Sequence, residues 1–306
     1  MRQTRRVGGR RAARRRTALA YGLLAPSLVG IVVCLVVPII IVAWLSFHRW
    51  DLLGPISYVG WDNWSRLLSD PTLGNSLLVT AAFALIVIPV QTALGLLLAV
   101  LLHRGLPGSG LLRAIYVLPW VCAPLALGIV WRWILAPTSG ALNALLGTSV
   151  AWLTEPALAL PAVALVSIWS QVGYVTLFFL AGLAVIPPSV VEAARLDGAS
   201  GPRLLWHITL PLLRPTLFFV LLTSTITAFQ TFDTVYALTQ GGPSSLKDGV
   251  ALGRTDVIAR RIYADAFVNF DLGRAATAAL VLFAVLVVVS LAQQLYFRRR
   301  ITYDLS

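Results

Sequence analysis

Lysine is almost absent from this chain, and charge of either sign is scarce. One lysine, Lys247, stands against 23 arginines, and 12% of the 306 residues are charged. The lysine count alone excludes a Gly-rich phosphate-binding loop, which needs lysine followed by serine or threonine; Lys247 precedes Asp248. Two cysteines, Cys34 and Cys122, both fall in apolar runs, so there is no disulfide framework and no redox compartment to read. His48, His103 and His207 are scattered without metal-ligand spacing, and no metal is expected. Strand-like alternation of apolar and polar residues is missing as well.

Apolar residues in long runs fill the chain instead. It is 58% hydrophobic with mean hydropathy +0.84, which does not describe a soluble domain. Five uncharged runs stand out: Thr17–Phe47, Asn75–Leu102, Ala157–Val191, Pro215–Phe232 and Ala275–Phe297. A sixth, Ala114–Trp131, suffices if Arg132 sits at the membrane edge. Each covers a hydrocarbon core of ~30 Å at ~1.5 Å per helical residue. Backbone groups in lipid must be satisfied within the segment, so helices are required. The first run is too long for a signal-peptide core and shows no cleavage site, so it reads as a retained anchor. The expected fold is an all-α polytopic membrane protein of six transmembrane helices. Residues 1–16 form a disordered basic tail, and residues 17–306 a single domain.

The net charge of +12 is unevenly placed. With the N-terminus inside, a six-span path puts sixteen arginines on that side and seven basic residues on the other. That asymmetry follows the positive-inside rule and places both termini in the cytoplasm. The basic tail therefore reads as a topology determinant touching anionic lipid, and no nucleic-acid partner is expected.

Between the fourth and fifth spans lies a polar interruption, residues 187–211, with helix signals that a plain connector does not need. Ser189 followed by Glu192 reads as a capping box after the Pro187-Pro188 break. Gly198 supplies a stop, and Ser200-Gly201-Pro202 a second start. Small Ala193 and Ala194 leave a face that another protein can approach closely. The loop reads as a docking element. Its pattern, Glu192-Ala193-Ala194, Asp197-Gly198-Ala199, then Ile208, Leu210 and Pro211, resembles the cytoplasmic signature loop of permease subunits of bacterial ATP-binding-cassette importers. Trp206 stands where that family usually has phenylalanine, an enlarged aromatic plug. Val59-Gly60-Trp61-Asp62-Asn63-Trp64, Leu118-Pro119-Trp120, Trp131-Arg132-Trp133, Phe229-Gln230-Thr231-Phe232-Asp233 and Gly241-Gly242-Pro243 are similar to the sugar-importer branch. That branch includes maltose-type and glycerol-phosphate-type permeases.

The resemblance implies a multi-pass subunit of a bacterial plasma membrane that is no enzyme. It implies half of a translocation path for a carbohydrate, or for another polar solute such as glycerol phosphate. The implied partners are a second permease, two ATP-binding subunits and an extracytoplasmic solute-binding protein docking on the outer loops. ATP and magnesium would be bound by the ATPase subunits, and no cofactor by this chain. The loop residues would pass ATPase motion to the spans as a coupling helix between helices four and five.

Polar groups inside the spans point independently to a hydrophilic solute. Thr223, Thr227, Gln230 and Thr234 follow i, i+4, i+7, i+11, one face of a fifth span expected over residues 211–238. Ser167, Gln171 and Tyr174 do the same on span four, and Gln91 lies near the middle of span two. Gln171, Tyr174, Thr223, Thr227, Phe229, Gln230 and Asp233 are the candidate substrate path, since sugar hydroxyls need partners and ring faces pack on aromatics. The alternative is helix–helix glue at ~0.6–2 kcal/mol per hydrogen bond. Asp233, ~27 Å along a continuous helix from Pro215, is expected near the outer interface. An ion-coupled carrier would want ionisable groups at membrane depth, where only Asp233 and Arg132 come near. An intramembrane hydrolase would need a nucleophile with a base, and the histidines lie outside the spans. Spans two and three, joined by a short turn at 103–110, should be antiparallel neighbours.

Overall fold

The computed structural model describes residues 7–103, 105, 108–247 and 249–298. Tail residues 1–6, together with Arg104, Arg299 and Arg300 from the inside charge count, lie outside the described residues. Val7–Ile31 continues through a π-helical turn, Val32–Val36, into Val37–Leu45, and the three together make α1. The basic tail expected to be disordered is therefore helical from Val7 onward. Pro38 lacks an amide proton and crowds the carbonyl four residues back, and the wider π-turn lies just before it.

After a hairpin of two-residue strands, β1 (His48–Arg49) with β2 (Ser57–Tyr58), come α2 (Asp62–Ser69) and α3 (Pro71–His103). Helix α3 starts four residues before the uncharged run that opens at Asn75. The Asp70 carboxylate accepts from the Thr72 amide at 2.7 Å, and Pro71 sits in the first turn, where proline is tolerated. The run Ala114–Trp131, expected as the third span, is not one straight helix. It is α4 (Ser109–Val121) and α5 (Pro124–Ile134), bent 98° apart. Ala123 is extended, φ −61° and ψ 123°, as a residue before proline prefers.

Short α6 (Ala141–Leu146) leads to α7 (Ala159–Val185), which stops where Ile186 turns extended before Pro187. Next come α8 (Pro188–Leu196) and α9 (Gly201–Leu212), the latter with a π-turn at Leu205–Thr209. The expected fifth span is also interrupted. Helix α10 (Arg214–Phe229) meets α9 at 74°, and Gln230–Phe232 breaks it from α11 (Asp233–Leu238). A second hairpin, β3 (Ser244–Lys247) with β4 (Val250–Gly253), precedes α12 (Ile258–Phe267) and α13 (Leu272–Arg298). The fold is mostly helical rather than wholly so. Four described helices are long and apolar enough to cross a membrane, or six if each bent pair counts as one span.

Helices α3 and α7 form the central pair with α10 against both, and α13 packs on α10, α12, α2 and the last part of α1. Among the described residues α4 packs chiefly on α7 and at most slightly on α3, so spans two and three are not the close pair that their short connection suggests. Gly173 of α7 lies against the Tyr116 carbonyl of α4, where any Cβ would collide. A Cβ at Gly95 of α3 would likewise come within 2.5 Å of a Val175 methyl on α7. In lipid, helices gain little from hiding apolar surface, so such close backbone contacts decide which neighbours pair. By contrast, 0% of the apolar window within Leu19–Leu45 of α1 is buried.

The hairpins, α2 and α12 gather at one end, and α8 with α9 at the other. Helix α1 runs toward the hairpin end and α13 away from it, so Val7 and Arg298 share the end that carries α8.

Candidate functional site: a polar chamber and a docking loop

The two polar stripes do meet. Gln91 of α3, Ser167, Gln171 and Tyr174 of α7, Thr223 and Thr227 of α10 and Thr234 of α11 line one cavity of 50 Å³. It shares Ser170, Gln171, Thr227, Thr231 and Thr234 with a neighbouring chamber of 240 Å³, which adds Trp120, Gln230 and Asp233 among others. The breaks around Gln230 change how this comes about. Gln230 ends α10, Asp233 opens α11, and the four-residue stripe spans two helices rather than one face. Asp233 therefore does not stand on a continuous helix counted from Pro215. Phe229 departs from the expected path: it packs in the core beside Val235 and Ile258.

The hydrogen-bonding state of the lining is uneven. Thr223 Oγ1 donates to the Phe219 carbonyl at 2.9 Å, and Thr227 Oγ1 to the Thr223 carbonyl at 2.9 Å. Both hydroxyl protons are thus engaged, and toward the cavity these groups can only accept. Gln91 Oε1 and Ser167 Oγ are buried at the cavity with no partner among the described residues. Helix–helix glue predicts paired polar atoms. These two are not paired. Trp120, which the spacing argument did not single out, stacks on Tyr174 with ring centroids 4.8 Å apart. No helical period links α4 to α7, so their contact was hidden from the sequence.

The docking loop has a different start from the one expected. Helix α8 begins with Pro188 at its first position, Ser189 lies inside, and no side chain caps it. The capping box of Ser189 and Glu192 is therefore absent, because the Pro187-Pro188 step already presets the first turn. The stop forms as expected. Gly198 has φ +82°, its amide donates to the Arg195 carbonyl at 3.0 Å, and the Ala199 amide to the Ala194 carbonyl at 2.9 Å. This is a Schellman ending. Ala194 is buried, whereas Glu192, Ala193, Asp197 and the apolar Leu196 and Trp206 are exposed. Ile208, Leu210 and Pro211 are half-buried along α9. A cavity of 820 Å³ separates the loop from the ends of α3 and α7, lined by His103, Leu183, Glu192, Arg195 and Gly198 among others.

At the hairpin end an ionic cluster joins elements far apart in sequence. Arg274 of α13 pairs with Asp70 ahead of α3, and also with Asp265 of α12 at 3.2 Å. Arg261 reaches Asp265 and Asp70, each at 3.5 Å. Burial pushes the Asp70 carboxyl up, but hydrogen bonds from Thr72 and the Arg274 charge outweigh it and leave the group below 3.8. Nearby, Asn63 donates to the Ser46 and His48 carbonyls at 2.9 and 2.8 Å, which ties the end of α1 to α2.

Comparison with known proteins fits this geometry. The family described as "Binding-protein-dependent transport system inner membrane component" matches residues 91–303. The sn-glycerol-3-phosphate transport system permease protein UgpA of Agrobacterium fabrum is 35% identical over 290 residues, covering 93% of this chain and 96% of its own. The trehalose/maltose transport system permease protein MalF of Thermococcus litoralis is 35% identical over 243 residues, covering 78% and 82%. A chain in the crystal structure of a bacterial alginate ABC transporter, in complex with an alginate pentasaccharide-bound periplasmic protein, superposes with a TM-score of 0.79. At 22% identity over 93% of this chain and 96% of that one, the likeness is one of fold. The chain thus belongs to the family of inner-membrane components of binding-protein-dependent transport systems.

Proposed function

We propose that this chain is a permease subunit of an importer for a carbohydrate, contributing half of a path that alternates between outward and inward access. The observation that carries the reading is the polar chamber between α3, α7 and α10, with Gln91 Oε1 and Ser167 Oγ unpaired inside it. A membrane bundle gains nothing by burying unpaired polar atoms, whereas a passing hydroxyl-rich solute would satisfy them. The names of the relatives support the solute class: glycerol phosphate for one, trehalose and maltose for another.

In this reading the chain crosses a bacterial plasma membrane six times, with both termini in the cytoplasm. Residues 187–211 are the coupling loop, and Glu192, Ala193, Leu196 and Trp206 offer the exposed face to a separate ATPase. Two such ATPase subunits would hold ATP and magnesium, a second permease would complete the path, and a solute-binding protein would dock at the hairpin end. The work is conformational, with no covalent chemistry assigned to this chain.

Uptake by proteoliposomes holding the full complex tests this, with transport expected to need ATP inside and the binding protein outside. Gln91→Leu should leave assembly unchanged, because no partner is lost, yet lower uptake about 5-fold or more through one lost solute hydrogen bond of ~1 kcal/mol or above. Reduced assembly with unchanged uptake per complex would return the stripe to a role in holding helices together.

A further inference from the structure

Building on the importer reading, we propose that the solute is an uncharged, ring-shaped sugar seated on the open face of Trp120, and not a phosphate ester. The lining of the two chambers carries the charge argument. Among the described residues, neither contains lysine, arginine or histidine, and the one acidic side chain is Asp233. A phosphate monoester carries a charge of roughly −1.5 to −2 near neutrality. Proteins meet that charge with arginine, lysine or free helix N-termini. Arg132 lines a separate cavity with Pro137, Thr239 and Gln240, which shares no wall residue with the chambers. Two helix N-termini do reach the outer chamber. Pro124 removes an amide donor from the first turn of α5, and Asp233 already answers the dipole of α11. A carboxylate at the mouth would repel an anion; a neutral sugar would be indifferent to its charge.

The aromatic geometry supplies what such a sugar needs. Trp120 is 44% exposed, with one ring face covered by Tyr174 at 4.8 Å and an interplanar angle of 24°. Tyr174 continues to Phe178 at 4.7 Å, and Phe178 to Phe219 at 4.8 Å, so the platform is braced from behind. A pyranose has an apolar C–H face that packs on an indole, while acyclic glycerol phosphate has none. Gln171, Gln230 and Thr231 in the same chamber supply partners for hydroxyls at the ring edge.

The test uses cells without competing uptake systems that produce the whole transporter. The medium holds neutral mono- and disaccharides, trehalose and maltose among them, with glucuronate and sn-glycerol 3-phosphate. Accumulated solutes are measured by mass spectrometry against cells lacking this chain. A neutral sugar should accumulate in a chain-dependent way, with both anions at least about tenfold lower. Trp120→Ala should raise the apparent KM for that sugar about tenfold, or ~1.4 kcal/mol, with Trp120→Phe recovering most of it. The wild-type profile decides the solute class even if Trp120→Ala fails to assemble. Chain-dependent accumulation of glycerol phosphate or glucuronate, or a sugar KM unmoved by Trp120→Ala in assembled complex, overturns this inference and leaves the importer standing. Accumulation of none of them overturns the importer reading, and this one with it.

Discussion

Gly198 shows how one residue can serve a whole loop. Its φ of +82° lies in the left-handed region, and a Cβ there would meet nothing within 4 Å. A substitution therefore acts through backbone torsion alone, at ~1–2 kcal/mol for an ordinary side chain and more for a β-branched one. Gly198→Val should cut uptake more than tenfold at wild-type membrane levels, and Gly198→Asn, which tolerates this conformation, should keep most of it. Normal uptake in Gly198→Val would remove the helix stop from the coupling argument. This residue was legible in the sequence because a glycine stop is a local matter. Gln171, Tyr174, Thr223 and Thr227 were legible for the same reason, through helical spacing. Phe229 was misread because the break at Gln230–Phe232 follows it, and its side chain turns into the core.

At the scale of elements, prolines decide where helices stop and how sharply they turn. Pro124 lies at the 98° bend and Pro215 just past the 74° bend. Both segments were expected as single spans; a proline sits at each break, and the angle depends on what the second helix packs against. Helix α5 lies against α11, a contact between segments more than a hundred residues apart. The Asp70–Arg274 pair is a contact of the same kind, joining the starts of α3 and α13. Asp70→Asn should lower the melting temperature of the purified complex at pH 7, with a loss of ~1–3 kcal/mol. The folded-state pKa of Asp70 is depressed, so its contribution is full above 3.8 and fades as pH falls through the lower folded value. The gap between wild type and Asp70→Asn should therefore narrow below pH 3.8. A gap of equal size at every pH would mean that the carboxylate charge is not what holds these helices.

For the whole molecule, α3, α7 and α13 run from the hairpin end to the α8 end and α1 runs the opposite way, which sets the two ends apart. Arginine placement predicts which side each end faces. Cysteines introduced by Ser65→Cys and Ser245→Cys should react with an impermeant thiol reagent in intact spheroplasts, on a background with Cys34 and Cys122 replaced. Ser200→Cys should react only after permeabilisation. Labelling of Ser200→Cys from outside would end the six-span path and the coupling-loop reading with it. The unburied apolar window of α1 needs no contact within this chain, since lipid or a neighbouring subunit can cover it.

Composition and periodicity determined by themselves that this chain lives in a membrane as helices, since lipid leaves the backbone no other way to satisfy its hydrogen bonds. Local helix signals also marked the stop at Gly198 in the loop at 187–211, which uses bonds spanning five residues or fewer. Tertiary structure alone decided that α4 sits on α7, that Trp120 stacks on Tyr174 and that Asp70 meets Arg274. Those contacts join residues between 54 and 204 positions apart, set by glycine-sized gaps and proline bends acting together in three dimensions. No periodic pattern along a single segment encodes such a meeting, because the apolar partners would be satisfied equally well by facing lipid and the charged ones by facing water.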